Sequence, residues 1–330
     1  MEIKTKKSDS LNVELTITVA AADYADREKK KLNERRRTAE FKGFRKGMVP
    51  ASLIKKVYGG ECLADAVNDV LGEQIQKYID DNKLNILGEP LTSEKQQEIE
   101  WVSGNDFTFV FDLGLSPEIK LDVVKEDIVN EYQVSVAAAD KKSMAENLKK
   151  YYVEKKEEKT DEEIDKEVTE RLKGQLKQEA DWRLTKDIRD YFVKKAGVKL
   201  PEDFLKRWLF VANKGKVSQE DVDKEFTGFA EDFKWQLVRG FLMKQFGLKI
   251  EQKDITDAAE AFVTYQYAMY GMGNVPAEII KDAVNNVLSD RRQVENLAEQ
   301  VEDRKVLEKI RETITLKPVK ITSAKFRELK

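Results

Sequence analysis

From Ile164 to Phe192 the chain places an apolar residue at every fourth position: Ile164, Val168, Leu172, Leu176, then Leu184, Ile188 and Phe192. Side chains four apart stack on one face of an α-helix, so this run specifies one long amphipathic helix and little else. Thr160 and Glu163 supply a capping box where it should begin. A second stripe, Val222, Phe226, Phe229, Phe233, Leu237 and Phe241, is opened by Ser218 and closed by Gly247. The 16 Gly and 6 Pro in 330 residues leave few breaks, and 37% charged residues suit long solvated helices better than a thick globule. Nearly everything from about residue 140 to 313 therefore reads as helical. Further helices are expected over 254–270 and 276–313, broken at GMGNVP, and the tail 314–322 reads as a short strand. The charge run 154–171 reads as a solvated helix start.

The first 116 residues follow a different pattern. Residues 11–19 alternate, with Leu11, Val13, Leu15, Ile17 and Val19 on one side, as a half-buried strand does. A polar helix is expected over 22–39, then a loop at 41–50 and a short helix after Pro50. Residues 61–82 form a separate helix carrying Leu63, Val67, Leu71, Ile75 and Ile79. Residues 94–102 and 105–115 read as an antiparallel pair turning at Ser103-Gly104-Asn105, the second strand alternating through Phe107, Phe109, Phe111, Leu113 and Leu115. The fold class is thus an α+β N-terminal unit joined to a mostly α-helical body. The expected domains are 1–116, an extended linker at 117–139, and a helical domain at 140–330.

The chain contains no histidine. That removes the commonest general base, the usual Ser–His and Cys–His pairs and most zinc sites. The one cysteine, Cys62, cannot form an intramolecular disulfide and reads as a small buried hydrophobe in a reducing compartment. There is no GxxxxGK[ST] phosphate loop, HExxH or GxSxG. No catalytic residue, metal or cofactor is expected. The N-terminus lacks the apolar core of a secretory signal and no stretch is long enough to span a membrane, so the expected location is the cytoplasm.

Charge is concentrated. Residues 27–56 hold twelve Lys/Arg against three Glu, a net of +9 in a chain of −3. Such a patch asks for a polyanionic partner, with phosphate backbone the obvious one. Phe44 lies inside it, between Gly43 and Arg45-Lys46, and suits insertion into a partner better than a core. A free RNA-binding module is one reading of this patch. The aromatic segments 204–213 and 233–238 read first as core stripes, with client binding by part of them as the sharper alternative, and segment 261–273 belongs to the same class. Within it Tyr265, Tyr267, Met269, Tyr270 and Met272 carry the flexible or amphipathic side chains that would accommodate varied clients if they are not core.

FKGFRKGMVP at 41–50 resembles the ribosome-docking loop of bacterial trigger factors, whose pattern Gly-Phe-Arg-x-Gly-x-x-Pro is met by Gly43, Phe44, Arg45, Gly47 and Pro50. Met48 departs from it, standing where a second Lys is usual. The resemblance extends through ILGEP at 86–90 and the Phe-rich strand before SPEIKL, and into the helical region 160–313. DFLKRWL at 203–209 and YGMGNVPAE at 270–278 are similar to members from the Bacteroidetes. The resemblance implies an elongated body with helical arms and an ATP-independent chaperone at the ribosomal exit tunnel. Lys42, Gly43, Phe44, Arg45, Lys46 and Gly47 would contact ribosomal protein and RNA there, and unfolded or nascent polypeptides would be the clients. Self-association is left open. Family members usually insert about a hundred residues of prolyl isomerase after the linker. Here the linker ends near Val136, AAADKKSM follows at once, and no isomerase activity is expected.

Overall fold

The computed structural model describes residues 2–155, 157–213 and 216–329. In chain order its elements are β1 (Glu2–Lys7), β2 (Asn12–Val19), α1 (Ala21–Thr38), α2 (Ala51–Asp81), β3 (Leu91–Thr92), β4 (Phe107–Gly114), β5 (Ile128–Ser135), α3 (Ala138–Lys155), α4 (Asp161–Ala196), α5 (Glu202–Ala212), α6 (Gln219–Gln245), α7 (Gln252–Met269), α8 (Ala277–Ser289), α9 (Arg291–Thr313), β6 (Thr315–Thr322) and α10 (Ser323–Glu328). The charge run at 154–171 falls on the end of α3 and the start of α4, with Lys156 outside the described residues.

The elements form two compact units: Met1–Glu118 with Lys199–Glu231, and Ile119–Val198 with Asp232–Lys330. Against the expected 1–116, linker 117–139 and helical 140–330, the linker groups with the second unit, and residues 199–231, α5 and the first half of α6, group with the N-terminal segment. Phe204 and Leu205 of α5 are buried, and Arg207 bonds Asp112 of β4 at 2.7 Å and the Thr92 carbonyl at 3.0 Å. Two glycines make room for this helix. A Cβ on Gly114 would stand 2.4 Å from the Phe204 ring, and one on Gly88 2.7 Å from Trp208.

In the first unit an antiparallel sheet runs β1-β2-β4-β3. β2 alternates as expected, with Val13, Leu15, Ile17 and Val19 buried against Phe107, Phe109 and Leu113 of β4 and Leu63, Val67, Val70 and Leu71 of α2. Two expectations change here, and one strand is added. The hairpin partner of β4 at 94–102 is not a strand, and only Leu91–Thr92 pairs. Gln96 explains this: its side-chain carbonyl accepts from the Val110 amide at 2.7 Å, so a side chain takes the place of the ladder. The turn at 103–105 is held by Tyr24, whose hydroxyl donates to the Asn105 carbonyl and accepts from the Gly104 amide, both at 2.9 Å. The two helices expected around Gly59-Gly60 are the single α2. Each helical Gly costs about 1 kcal/mol relative to Ala, an amount that burial of Ile54, Cys62, Leu63 and Ala66 on either side outweighs. β1 has no signature in the sequence, because EIKTKK lacks alternation; it is a lysine-rich edge strand.

In the second unit the whole expected stripe of α4, Ile164 through Phe192, is buried. Thr160 and Glu163 form the capping box, the Thr160 amide donating to Glu163 at 2.9 Å. α3 and α4 make an antiparallel hairpin around Leu148, Tyr152, Ile164, Val168 and Leu172. Beside this cluster Glu167 accepts from Lys159 and Tyr152, both at 2.8 Å, and these bonds pull its carboxyl down to about 2. The expected linker contains β5, which pairs in parallel with the tail strand β6 from Ile128↔Thr315 to Ser135↔Thr322. The helix expected at 276–313 is interrupted at Asp290, whose carboxylate accepts from the Arg292 amide at 2.9 Å and caps α9. In α6 the stripe is rotated from the one expected: Val222, Phe226, Ala230, Trp235, Val238 and Leu242 are buried, while Phe229, Phe233, Leu237 and Phe241 are half-buried. A partly buried polar cluster packs against the second half of α6. Asp303 of α9 accepts from Trp235 Nε1 at 2.7 Å and from Arg239 at 3.4 Å, and pairs with Arg189 of α4.

Candidate functional site

The loop between α1 and α2 is two tight turns in series. The Phe44 amide donates to the Phe41 carbonyl at 3.1 Å and the Met48 amide to the Arg45 carbonyl at 2.9 Å. The third residue of each turn is a glycine with positive φ, Gly43 at 92° and Gly47 at 82°, while the second residues, Lys42 and Lys46, keep negative φ. That is the type II arrangement, which demands glycine at its third position. A Cβ on either glycine would meet nothing within 4 Å, so the requirement is purely one of backbone angle.

The loop's ends are pinned. Ala39, Val49 and Ile54 are buried in a small cluster joined by Leu32, Phe41, Leu53 and Tyr58. Phe41 meets Tyr58 edge-on at 6.1 Å, and the Arg36 Nε donates to the Val49 carbonyl at 2.8 Å. With the ends held, the tip presents Phe44, 44% exposed, beside exposed Lys42, Arg45 and Lys46. Met48, read from sequence only as a departure from the pattern, is the most exposed apolar residue of the loop at 69%.

The basic patch is less uniform than its net charge suggested. α1 and α2 run antiparallel, and three cations on one face of α1 pair with α2: Arg27 with Glu73 at 2.6 Å, Lys31 with Asp69 at 2.7 Å, and Arg35 with Glu61. The Arg27 hydrogen bond holds the Glu73 carboxyl below the usual range, and the Asp69 bond raises Lys31. These pairs neutralise one side of the patch, because α1 places residues four apart on the same face.

The other candidate residues gather at the end of α7. Gly271, with φ 76°, terminates this helix in a Schellman arrangement: the Met272 amide donates to the Tyr267 carbonyl at 3.0 Å and the Gly271 amide to the Ala268 carbonyl at 3.0 Å. Tyr265, Met269, Tyr270 and Met272 are all exposed, Tyr270 by 82%. Tyr267 differs from them. It is half-buried against Ala259, Val263, Val284, Val287 and Leu297, the core between α7, α8 and α9. Phe262 and Ile279, which the sequence did not single out, are exposed as well. Phe262, Tyr265 and Met269 share a face by their i, i+3, i+7 spacing, and that spacing was the available signal.

Cys62 is buried, and burial raises its thiol. Among the described residues no group of three or more Cys, Asp or Glu could hold a metal ion, and no helix is long and apolar enough to cross a membrane.

Comparison with known proteins follows these segments. The family described as bacterial trigger factor protein matches residues 1–150, and the family described as probable trigger factor, C-terminal domain, matches residues 180–330. Curated relatives include the trigger factor of Francisella tularensis subsp. novicida, 28% identical over 152 residues, and that of Aliivibrio fischeri, 33% identical over 155 residues. Each match covers 46% of this chain and 34% of the relative, so the chain aligns over about a third of the length of these proteins. A solved trigger factor chaperone, studied for promiscuous substrate recognition in folding and assembly, superposes with a TM-score of 0.53 at 15% identity. That superposition covers 94% of this chain and 99% of the other, and it shows a shared fold. With an α+β N-terminal region carrying the loop, a helical body, and both terminal domains matched, the chain belongs to the trigger factor family of chaperones.

Proposed function

We propose that this chaperone docks at the ribosomal exit tunnel through the loop at 41–50 and holds unfolded or nascent polypeptides without ATP, in the cytoplasm. The observation that carries the reading is the loop itself. Two glycine-dependent turns, anchored at both ends, hold Phe44, Arg45 and Lys46 out in solvent, where they add nothing to the core. An aromatic and two cations held this way suit a partner offering both an apolar pocket and phosphate or carboxylate groups. Lys42, Gly43 and Gly47 shape the approach.

Clients are assigned to the exposed end of α7 and the following turn: Tyr265, Met269, Tyr270 and Met272, with Phe262 and Ile279 extending the apolar surface. Met and Tyr adapt to varied surfaces at modest entropic cost. Prolyl isomerisation is not part of the reading. The residues between the two family-matched segments, 151–179, lie on the end of α3 and the first half of α4 wherever they belong to a described element.

Replacing Phe44, Arg45 and Lys46 together with alanine tests the docking. The exposed tip contributes little to folding, so melting should stay within about 1 °C of wild type, by the usual scaling of small energy changes to Tm. Co-sedimentation with ribosomes should be lost. Undiminished co-sedimentation of the triple variant refutes the assignment.

A further inference from the structure

The α3–α4 hairpin carries a groove that its core does not use. Two hollows, of about 690 and 450 Å³, follow one another along α4 and share Arg327 of α10 in their linings. On α3 the groove takes Ser143, Met144, Asn147 and Tyr151, one helical face by their spacing. On α4 it takes Arg171, Gln175, Gln178, Glu179 and Trp182, again one face. Lysine is sorted out of it. α3 carries Lys141, Lys142, Lys149, Lys150 and Lys155 and α4 six more, yet none of them lines the groove. In their place stand Met144, Tyr151 (49% exposed), Trp182 (68% exposed) and the arginines 171, 183 and 327. That is the composition of a protein-binding surface: aromatic rings, Met and Arg give contact area at low entropic cost, whereas the strongly hydrated lysine ammonium resists burial.

The charges of the groove are uneven. Asp140 accepts from Ser323 at 2.5 Å and Arg327 at 2.9 Å, and Glu179 accepts from the Gln175 amide at 2.9 Å, so both lining acids are engaged within the groove. Arg171 pairs with Glu167 through Nη2 at 2.6 Å, Arg327 spends Nη1 on Asp140, and Arg183 gives Nε to Asp187 and Nη1 to the Leu329 carbonyl. Each guanidinium is thereby held in place with a further nitrogen that has no acceptor among the described residues. Three fixed arginines beside two engaged acids favour an incoming carboxylate. Ser143, Asn147 and Gln178 add uncharged donors and acceptors, which match peptide amides. From Arg171 to Trp182 α4 rises about 16 Å, the span of about five residues of extended chain. We infer that this groove binds an extended polypeptide segment that bears a large apolar side chain and, about five residues away, a carboxylate. The apolar side chain seats against Trp182 and Leu329 over Phe326, and the carboxylate on Arg171. The inference rests on the holding of unfolded polypeptides proposed above and gives it a second station, with its own selectivity, apart from the end of α7.

The test is fluorescence anisotropy of the full chain with two labelled Gly/Ser peptides. Each carries one Phe; about five residues further on, one peptide has Glu and the other Lys. Wild type should bind the Glu peptide about tenfold more tightly than the Lys peptide. Trp182→Ala should weaken both about tenfold and, because the ring is exposed, leave melting unchanged. Arg171→Gln should keep the weaker binding of the Lys peptide and erase the preference for Glu. Serine at both Tyr270 and Met272, at the α7 surface, should change neither affinity. Equal affinities of wild type for the two peptides overturn the inference, as does undiminished binding by Trp182→Ala. Wild type that suppresses client aggregation but binds neither peptide also overturns it and leaves the holding role standing. Wild type that binds the Glu peptide through Trp182 and Arg171 without suppressing aggregation upholds the groove and defeats the holding role.

Discussion

Glycines illustrate how the same residue answers to different physics in one chain. Gly43 and Gly47 are required by positive φ with open space around them; Gly114 is required by the Phe204 ring of α5, and Gly88 by both a φ of 71° and the Trp208 ring. Gly174, exposed in the middle of α4, has neither constraint. Alanine at Gly114 forces a Cβ into Phe204 and should destabilise the protein by about 1–3 kcal/mol, the range for overpacking. Alanine at Gly47 should cost about 1–2 kcal/mol, the penalty of a left-handed residue. Alanine at Gly174 should stabilise by about 0.5–1 kcal/mol. Urea denaturation of the three variants checks the order; equal effects at Gly114 and Gly174 would deny α5 its tight seat. The sequence marks Gly43 and Gly47 as a loop pair, but nothing in it separates Gly88 and Gly114, which meet α5, from Gly174, which meets nothing.

At the scale of elements, α7 separates packing from presentation within a few residues. Ala259, Val263 and Tyr267 face α8 and α9, whereas Phe262, Tyr265 and Met269 face solvent. Substituting Tyr267 with serine should lower the melting temperature, because a half-buried ring leaves the helix cluster; a loss of about 2 kcal/mol is of the order expected for a large side chain not fully buried. Serine at both Tyr270 and Met272 should leave melting nearly unchanged and reduce suppression of client aggregation, measured by light scattering without nucleotide. If the Tyr270/Met272 variant suppresses aggregation as well as wild type, the client surface lies elsewhere. The sequence placed all five candidates together because local composition marks apolar and amphipathic residues alike. It could not tell Tyr267 from Tyr270, since that distinction depends on what α8 and α9 bring to one face.

For the whole molecule, refolding of a proline-limited substrate should proceed at its uncatalysed rate, on the order of tens of seconds to minutes at 25 °C. Acceleration well beyond that would place an isomerase in a helical body where none is assigned. What the sequence determined by itself is whatever repeats or caps locally: the α4 stripe and its Thr160–Glu163 box, the alternation of β2 and β4, the paired glycines of the loop, and the strand at the tail. These follow from interactions a few residues long, where period and side-chain chemistry suffice. Tertiary structure alone decided the partner of β5, the fusion of α2 across Gly59-Gly60, the rotation of the α6 stripe, the return of α5 to the first unit, and the division of the basic patch into tied and free cations. Each of those turns on residues far apart in the chain meeting face to face, and a one-dimensional pattern records what a residue prefers but not which neighbour will satisfy it.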